Sequence, residues 1–379
     1  MSTLAFQTTK SVLAEVGATS KIGAMMAEHG CKKLAFITDP MILELGLADQ
    51  ALSGIKRAGL DVWIFSDVVA DPPAEMILNG VDQARSEQID GVVSVGGGSS
   101  LDTAKLIAML LGTDQPLSEM YGVNQVRGDR LPLILAPTTA GTGSEVTPIS
   151  IVTTGESEKK GVVAPQLLPD MAILDARLTI GLPSAVTAAT GIDAMVHAIE
   201  AYTSKRLKNV VSDCLAKQAL SMLGANLKTA CEDPANLKAR EEMLIGSMLA
   251  GMAFTNAPVA AVHALAYPLG GHFHVPHGLS NALVLPYVME FNLPEAKVLY
   301  DDLAPIIFPG SASSAQEMIA LFKSLGPDLG LPARLSEVGV KRSDIEMLAV
   351  DAMKQERLLI NNPRQMTLKA AQKIYETAL

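Results

Sequence analysis

Short β-branched and aliphatic runs alternate with helically spaced ones from about residue 30 to residue 180. KKLAFITD (32–39), DVWIFSDV (61–68), IDGVVSVGG (89–97) and LPLILAPTT (131–139) predict strands, and MAILDA (171–176) predicts one more buried strand. Helical spacing over 46–58, 74–88 and 101–111 fills the gaps between them. The opening MSTLAFQTTKSVLAEVG alternates like a first strand. This is the βαβ rhythm of a mostly parallel sheet with helices on both faces. The pattern changes after about Pro183: 184–202, 209–230, 237–254 and 259–269 carry Ala, Leu and Met at helical spacing, with almost no β-rich alternation. The tail from 312 to 379 continues in this way, broken at Pro332 and around NNPR (361–364). The expectation is an α/β N-terminal domain over 1–182 and an all-α C-terminal domain over 183–379. With no flexible linker, they should pack closely and hold any pocket between them.

Apolar residues make up 49% of the chain, which sets disorder aside, and the 4% aromatic share predicts an aliphatic core. With 30 basic against 40 acidic residues there is no basic stripe, and aromatics are too few for stacking platforms, so nucleic-acid binding is disfavoured. Cys31, Cys214 and Cys231 form no CxxC pair, which excludes a disulfide scaffold and a thiolate zinc knuckle and fits a reducing compartment. No basic flank precedes a long apolar run at the start, and no apolar stretch reaches the length of a membrane span. The expected location is the cytoplasm, with no membrane partner.

Five of the six histidines lie between 197 and 277. In ATGIDAMVHAIEAY (189–202), read as a helix, Asp193 and His197 are four apart and share one face. The helix AVHALAYPLGG (261–271) supplies His263, and the turn HVPHG (274–278) supplies His277. One Asp and three His form a mixed nitrogen and oxygen set that suits Fe(II), Zn(II), Ni(II) or Co(II). Asp193 sits in an otherwise apolar helix, where an unpaired carboxylate would be costly, and this favours a metal over a chance cluster. His272 and His274 lack such context and either line a pocket or face water; His29 reads as structural or exposed.

Two glycine-rich loops follow predicted strands. In GVVSVGGGSSLDTAK (91–105), Gly96, Gly97 and Gly98 let the chain turn and approach a ligand. Ser99, Ser100 and the next amides then face a phosphate at a helix N-terminus. Asp102 and Lys105 either orient this loop or touch the ligand. The second loop, APTTAGTGSEVT (136–147), is crowded with Thr138, Thr139, Thr142, Gly143 and Ser144. Two such loops suggest a ligand laid across the carboxyl ends of the strands. Asp39 ends the first predicted strand of this region, where a carboxylate accepts from a ribose hydroxyl and repels a 2′-phosphate, so NAD is favoured over NADP.

Taken together, GGGSSLDTAK (96–105), PTTAGTGSEVT (137–147), ATGIDAMVHAIEAY (189–202) and VHALAYPLGGHFHVPHG (262–278) resemble the signatures of the iron-containing, group III alcohol dehydrogenases. The resemblance covers nearly the whole chain. It implies a dehydroquinate-synthase-like fold, with an α/β dinucleotide-binding domain and an all-helical domain. It implies one divalent metal, Fe(II) above Zn(II), Ni(II) or Co(II), on Asp193, His197, His263 and His277. It also implies NAD held by Asp39, Gly97, Gly98, Ser99, Thr138, Thr139, Thr142 and Lys160, flanked by Leu178, Thr179 and Leu182, and the loop reading above adds Gly96 and Asp102 to this cofactor set. The implied substrate is a small alcohol or aldehyde, contacted by Phe254, Tyr267 and His272, and the implied assembly is a homodimer. Many members carry a further histidine four residues after the third ligand, where this chain has Tyr267, a far weaker base at neutral pH. Within the same superfamily a glycerol or diol dehydrogenase stays open. Dehydroquinate synthase needs more basic groups than this region offers, and four intact metal positions argue against a maleylacetate reductase. A non-catalytic metal-binding protein would leave both glycine loops without a role.

Overall fold

A computed structural model describes residues 4–155 and 158–379. These residues form two compact units. The first, Gln7–Thr139 with Gly143–Ile180, holds all the strands. They are β1 (Ser11–Ala14), β2 (Lys33–Ile37), β3 (Asp61–Phe65), β4 (Gly91–Gly96), β5 (Gly122–Val123), β6 (Leu133–Pro137), β7 (Ile149–Thr154), β8 (Glu158–Val163) and β9 (Met171–Leu174). Six of them make one sheet in the order β1-β9-β6-β4-β2-β3, parallel throughout. Helices α1 (Ile22–Glu28), α2 (Pro40–Glu44), α3 (Asp49–Arg57), α4 (Ala74–Ser86) and α5 (Gly98–Gly112) belong to the same unit.

Alternating strand residues feed two separate cores, because successive side chains point to opposite faces. Ala35, Ile37, Val92 and Leu135 pack with Ile77 of α4 and Ile107 of α5. Leu34, Phe36, Val93 and Ile134 pack with Ile22 of α1 and Ile55 of α3. The unit is a Rossmann-like α/β domain, and its strand order reverses between β2 and β4. Ligands of such sheets settle outside the carboxyl ends of the strands at that reversal. Asp39 follows β2 and the Gly96–Ser99 loop follows β4, so both border the reversal point. A small second sheet, β5-β8-β7, was not legible in the sequence; β5 is only two residues long, and EKKGVV in β8 reads as polar.

The second unit comprises residues 4–6, Ala140–Thr142 and Gly181–Leu379. Its helices are α6 (Ser184–Thr203), α7 (Val210–Glu232), α8 (Leu237–Asn256), α9 (Ala261–Phe273), α10 (His277–Ile307), α11 (Ala315–Asp328), α12 (Ile345–Met353), α13 (Glu356–Leu359) and α14 (Leu368–Ala378). No single helix among the described residues is long and apolar enough to cross a membrane. The sequence reading of 274–278 as a turn is corrected at its end, since His277 is the first residue of the 31-residue helix α10. Pro286, Pro294 and Pro305 lie inside that helix and disguise its length. Its first turn approaches α6 closely: a Cβ on Gly278 would stand 2.5 Å from the Ala189 carbonyl oxygen. Glycine is required there, and its bareness lets His277 come up against Asp193.

A buried lysine ties the two glycine-rich loops together. The Lys105 ammonium, fully buried, donates to Asp102 Oδ1 at 3.1 Å, Ser144 Oγ at 2.8 Å, Thr147 Oγ1 at 3.3 Å and the Ile149 carbonyl at 2.7 Å. Asp102 in turn accepts from the Ser144 hydroxyl and, at 3.0 Å, from the Ile151 amide. Of the two roles open to Asp102 and Lys105, these bonds supply loop orientation. Next to them Glu145 is also buried, and burial pushes its carboxyl up to about 7, against the pull of its own backbone amide and of Lys105. Its contribution to stability is therefore fully present below its ordinary 4.5 and is lost as pH rises through about 7. The melting temperature of Glu145→Gln relative to wild type should rise between about pH 5 and about pH 8. A difference that stays constant over that range would show that Glu145 does not titrate in this way.

Candidate metal centre

Helix α6 is buried on nearly every side, as expected of a core helix rather than an amphipathic surface one. Asp193, His197 and Glu200 put a polar stripe through it at i, i+4 and i+7. His263 lies in the first turn of α9 and His277 opens α10. One ligand atom from each of Asp193, His197, His263 and His277 lies within 4.8 Å of the others. His277 Nε2 is 3.6 Å and His263 Nε2 4.0 Å from Asp193 Oδ1. Asp193, His197 and His263 are buried, whereas the His277 side chain is 41% exposed, so the cluster opens to solvent on that side.

The rings are fixed from behind. His197 Nδ1 lies 3.2 Å from the Gly141 carbonyl oxygen, an acceptor only, so Nδ1 carries the proton and Nε2 is left as a lone-pair donor. His263 Nδ1 lies 2.7 Å from Glu200 Oε2, with the same result. Burial pushes His197 down to about 3, against the Asp193 charge, so its ring is neutral at neutral pH, as a ligand must be. Phe254 of α8 stacks on His197 at 4.4 Å between centroids, and His197 stacks on His263 at 4.7 Å.

Two side chains at the cluster were not picked out from the sequence. Asn281, one turn after His277, donates from Nδ2 to Asp193 Oδ1 at 2.6 Å and has His277 Nε2 at 3.2 Å and His263 Nε2 at 3.4 Å. Its Oδ1 is buried and has no hydrogen-bond partner among the described residues. The positive end of an amide dipole is thus aimed at three donor atoms, which is the polarity a cation completes. The donor set fits a divalent ion of the Fe(II), Zn(II), Ni(II) or Co(II) kind. Glu200 was legible in principle, because the argument that singled out a carboxylate in an apolar helix at 193 applies equally at 200. Asn281 was hidden by reading 274–278 as a turn, since its i+4 relation to His277 exists only in a helix.

The remaining sequence candidates divide. Tyr267 lies near the open side, its ring 5.9 Å from that of His277. His272, in the last turn of α9, is exposed and bonded to Asp351 of α12 rather than gathered with the four donors. In the α/β unit, Asp39 caps α2 by accepting from the Ile42 amide at 3.1 Å, and its other oxygen meets the Ser100 hydroxyl at 3.4 Å. This brings Asp39 to the glycine loop. Gly96, Gly97 and Gly98 do not have the positive φ of a tight glycine turn. The smallness of Gly96 serves close approach instead, since a Cβ there would meet Ser100 Cβ at 2.5 Å, while the space around Gly97 is open. Ser99 lies in the first turn of α5. The Thr138 amide donates to the Gly96 carbonyl at 2.9 Å, which sets the two loops side by side, with Thr139 next in the chain. Thr142 belongs to the helical unit. Thr179 is buried and Leu178 joins the α1–α3 core, Leu182 is half-buried, and Lys160 is half-exposed on β8, 3.2 Å from Glu158.

Comparison with known proteins identifies the family of the chain. The family described as iron-containing alcohol dehydrogenase matches residues 9–176, and the C-terminal part of the Fe-containing alcohol dehydrogenase family matches residues 187–379. Long-chain-alcohol dehydrogenase 1 of Geobacillus thermodenitrificans is 41% identical over 371 residues, covering 96% of this chain and 93% of its own length. NAD-dependent methanol dehydrogenase of Bacillus methanolicus is 34% identical over 369 residues, covering 96% of each. The crystal structure of a 1,3-propanediol oxidoreductase superposes with a TM-score of 0.95 at 35% identity, over the full length of both chains. With both halves matched in order, the chain belongs to the iron-containing alcohol dehydrogenase family.

Proposed function

We propose that this chain holds one divalent metal, Fe(II) foremost, on Asp193, His197, His263 and His277, and uses it with NAD to interconvert a small alcohol and its aldehyde. The class itself, a metal-dependent, NAD-linked oxidoreductase of small alcohols and aldehydes, follows from the family and the donor cluster. The observation that carries the site assignment is the gathering of four donors within 4.8 Å, two of them with their proton already held on the far nitrogen.

When bound, the cation supplies Lewis-acid stabilisation to an alcohol or carbonyl oxygen, and NAD supplies or takes the hydride. The protein's own part is positioning. Asp193 offsets one of the two positive charges, and the neutral imidazoles add donors without adding charge. Phe254 covers the face of His197 and excludes water from that side. Tyr267, on the open side, offers its hydroxyl oxygen to hold a proton or a substrate hydroxyl, where many relatives have a stronger base. The assignment of Asp39, Gly96, Gly97, Gly98, Ser99, Thr138, Thr139 and Thr142 to the cofactor rests on the strand-order reversal and the paired loops. Asp39 would meet the adenosine ribose and disfavour NADP. Lys160, Thr179 and Leu182 complete the set by resemblance alone. Asp102 belongs to it through the loop that it braces, and His272 stands at the margin of the substrate side. The same reading gives the chain a dehydroquinate-synthase-like fold, a homodimeric state and a cytoplasmic location, with no nucleic-acid partner.

The direct test is to strip the protein of metal, reload it separately with Fe(II), Zn(II), Ni(II) and Co(II), and follow NAD and NADP reduction with primary, secondary and diol alcohols. Activity should return with metal and with NAD; cofactor binding without turnover under every metal would exclude the reading. Replacing His263 with Ala should remove most bound metal and lower turnover by two orders of magnitude or more, while NAD affinity stays within about twofold. Unchanged metal content in that variant would show that the ligand set is wrong. Asp39→Gly should narrow the preference for NAD over NADP at least roughly tenfold, since a carboxylate beside a 2′-phosphate is repulsive. An unaltered cofactor ratio would remove Asp39 from the ribose site.

A further inference from the structure

Glu200 is nearly fully buried and receives three short hydrogen bonds. Oε2 accepts from the Ala260 amide at 2.9 Å and from His263 Nδ1 at 2.7 Å, and Oε1 accepts from the Val262 amide at 2.7 Å. The two amides open α9, where the first N–H groups of a helix have no partner within the helix. One carboxylate from α6 therefore caps α9 and at the same time grips the ring of the histidine in its first turn.

We infer that Glu200 is a positioning residue for the metal, acting through His263 and resting on the ligand assignment proposed above. It fixes the His263 proton on Nδ1, aims Nε2 at the ion, and polarises the ring so that Nε2 is a stronger donor. It also completes the charge balance, because Asp193 and Glu200 together match a divalent cation while the three ligating imidazoles are neutral. Because the ring and the start of α9 share one carboxylate, His263 cannot rotate away without giving up its bond to the group that caps its own helix.

Gln is nearly isosteric with Glu but cannot accept at both ends. If its amide nitrogen faces Ala260 and His263, the ring must move its proton to Nε2 and loses its ligand lone pair. If the nitrogen faces Val262, a neutral oxygen replaces the charge behind His263. Glu200→Gln should therefore weaken Co(II) binding about 10- to 100-fold, read from the visible d–d absorption during titration, with NAD affinity unchanged. His263→Ala, titrated in parallel, separates the two ideas. Loss of Co(II) binding in His263→Ala with wild-type binding in Glu200→Gln overturns the role of Glu200 alone. Unaltered binding in both variants overturns the ligand assignment itself. A readout independent of metal and of Glu200 variants is the histidine tautomer in the metal-free wild-type protein. In ¹⁵N-histidine NMR, with the His263 signal identified by its absence in His263→Ala, the proton should sit on Nδ1. A proton on Nε2 there overturns the inference even if Glu200→Gln does not fold.

Discussion

A carboxylate in the middle of an apolar helix is the constraint on which the helical unit depends. Asp193 is almost wholly buried in α6, and a lone charge there would be expensive unless paired. Its surroundings resolve this in three steps: imidazoles from α9 and α10 converge on it, Asn281 donates to it, and the bareness of Gly278 lets the start of α10 come close enough. One buried anion of α6 thus has polar groups of both α9 and α10 drawn up to it. In the α/β unit the polarity is reversed, and a buried cation, Lys105, gathers the two glycine-rich loops through four acceptors.

Much of this was legible in the sequence where one physical rule governed a segment. The β-branched runs at 32–39, 61–68, 89–97, 131–139 and 171–176 contain β2, β3, β4, β6 and β9: the interior strands β2, β4 and β6 are covered on both faces and read as continuous apolar runs, whereas β3, an exposed edge strand, is legible from its β-branched and aromatic composition. The helical spacing of Asp193 and His197 correctly put them on one face. Legibility failed where two rules competed. The prolines within α10 argued against a helix of that length, and tertiary packing overrode them, which hid both the position of His277 at a helix start and the relation of Asn281 to it. The glycines at 96–98 read as allowing both a sharp turn and a close approach; none takes a left-handed backbone, and at Gly96 the fold uses the lack of a side chain. Nothing local in the sequence could reveal that the Gly141 carbonyl faces His197, since the contact joins positions 56 residues apart.

The two histidines with fixed protons differ in what fixes them. His197 is held by a backbone carbonyl of the loop after β6, three residues of which belong to the helical unit, whereas His263 is held by a side chain. The Gly141 carbonyl is provided by any residue that lets the loop keep its path, so the chemistry of the side chain at 141 does not matter, only its size. At position 200 the chemistry matters entirely. Substitution at these two positions should therefore be limited for different reasons, one steric and one electronic.

The spread of the four donors along the chain has a consequence for how the helical unit survives. They come from three helices and span positions 193 to 277, so an ion bound to all of them joins segments that an unfolded chain would let drift apart. The cysteines are free, and no covalent bridge does this work. An ion that binds only the folded form stabilises it by mass action, about 2.7 kcal/mol when free metal is a hundredfold above its dissociation constant. An ion held by these four side chains would in that sense be a reversible cross-link, and would tie the persistence of the helical unit under heat to metal supply in the medium as well as to the sequence.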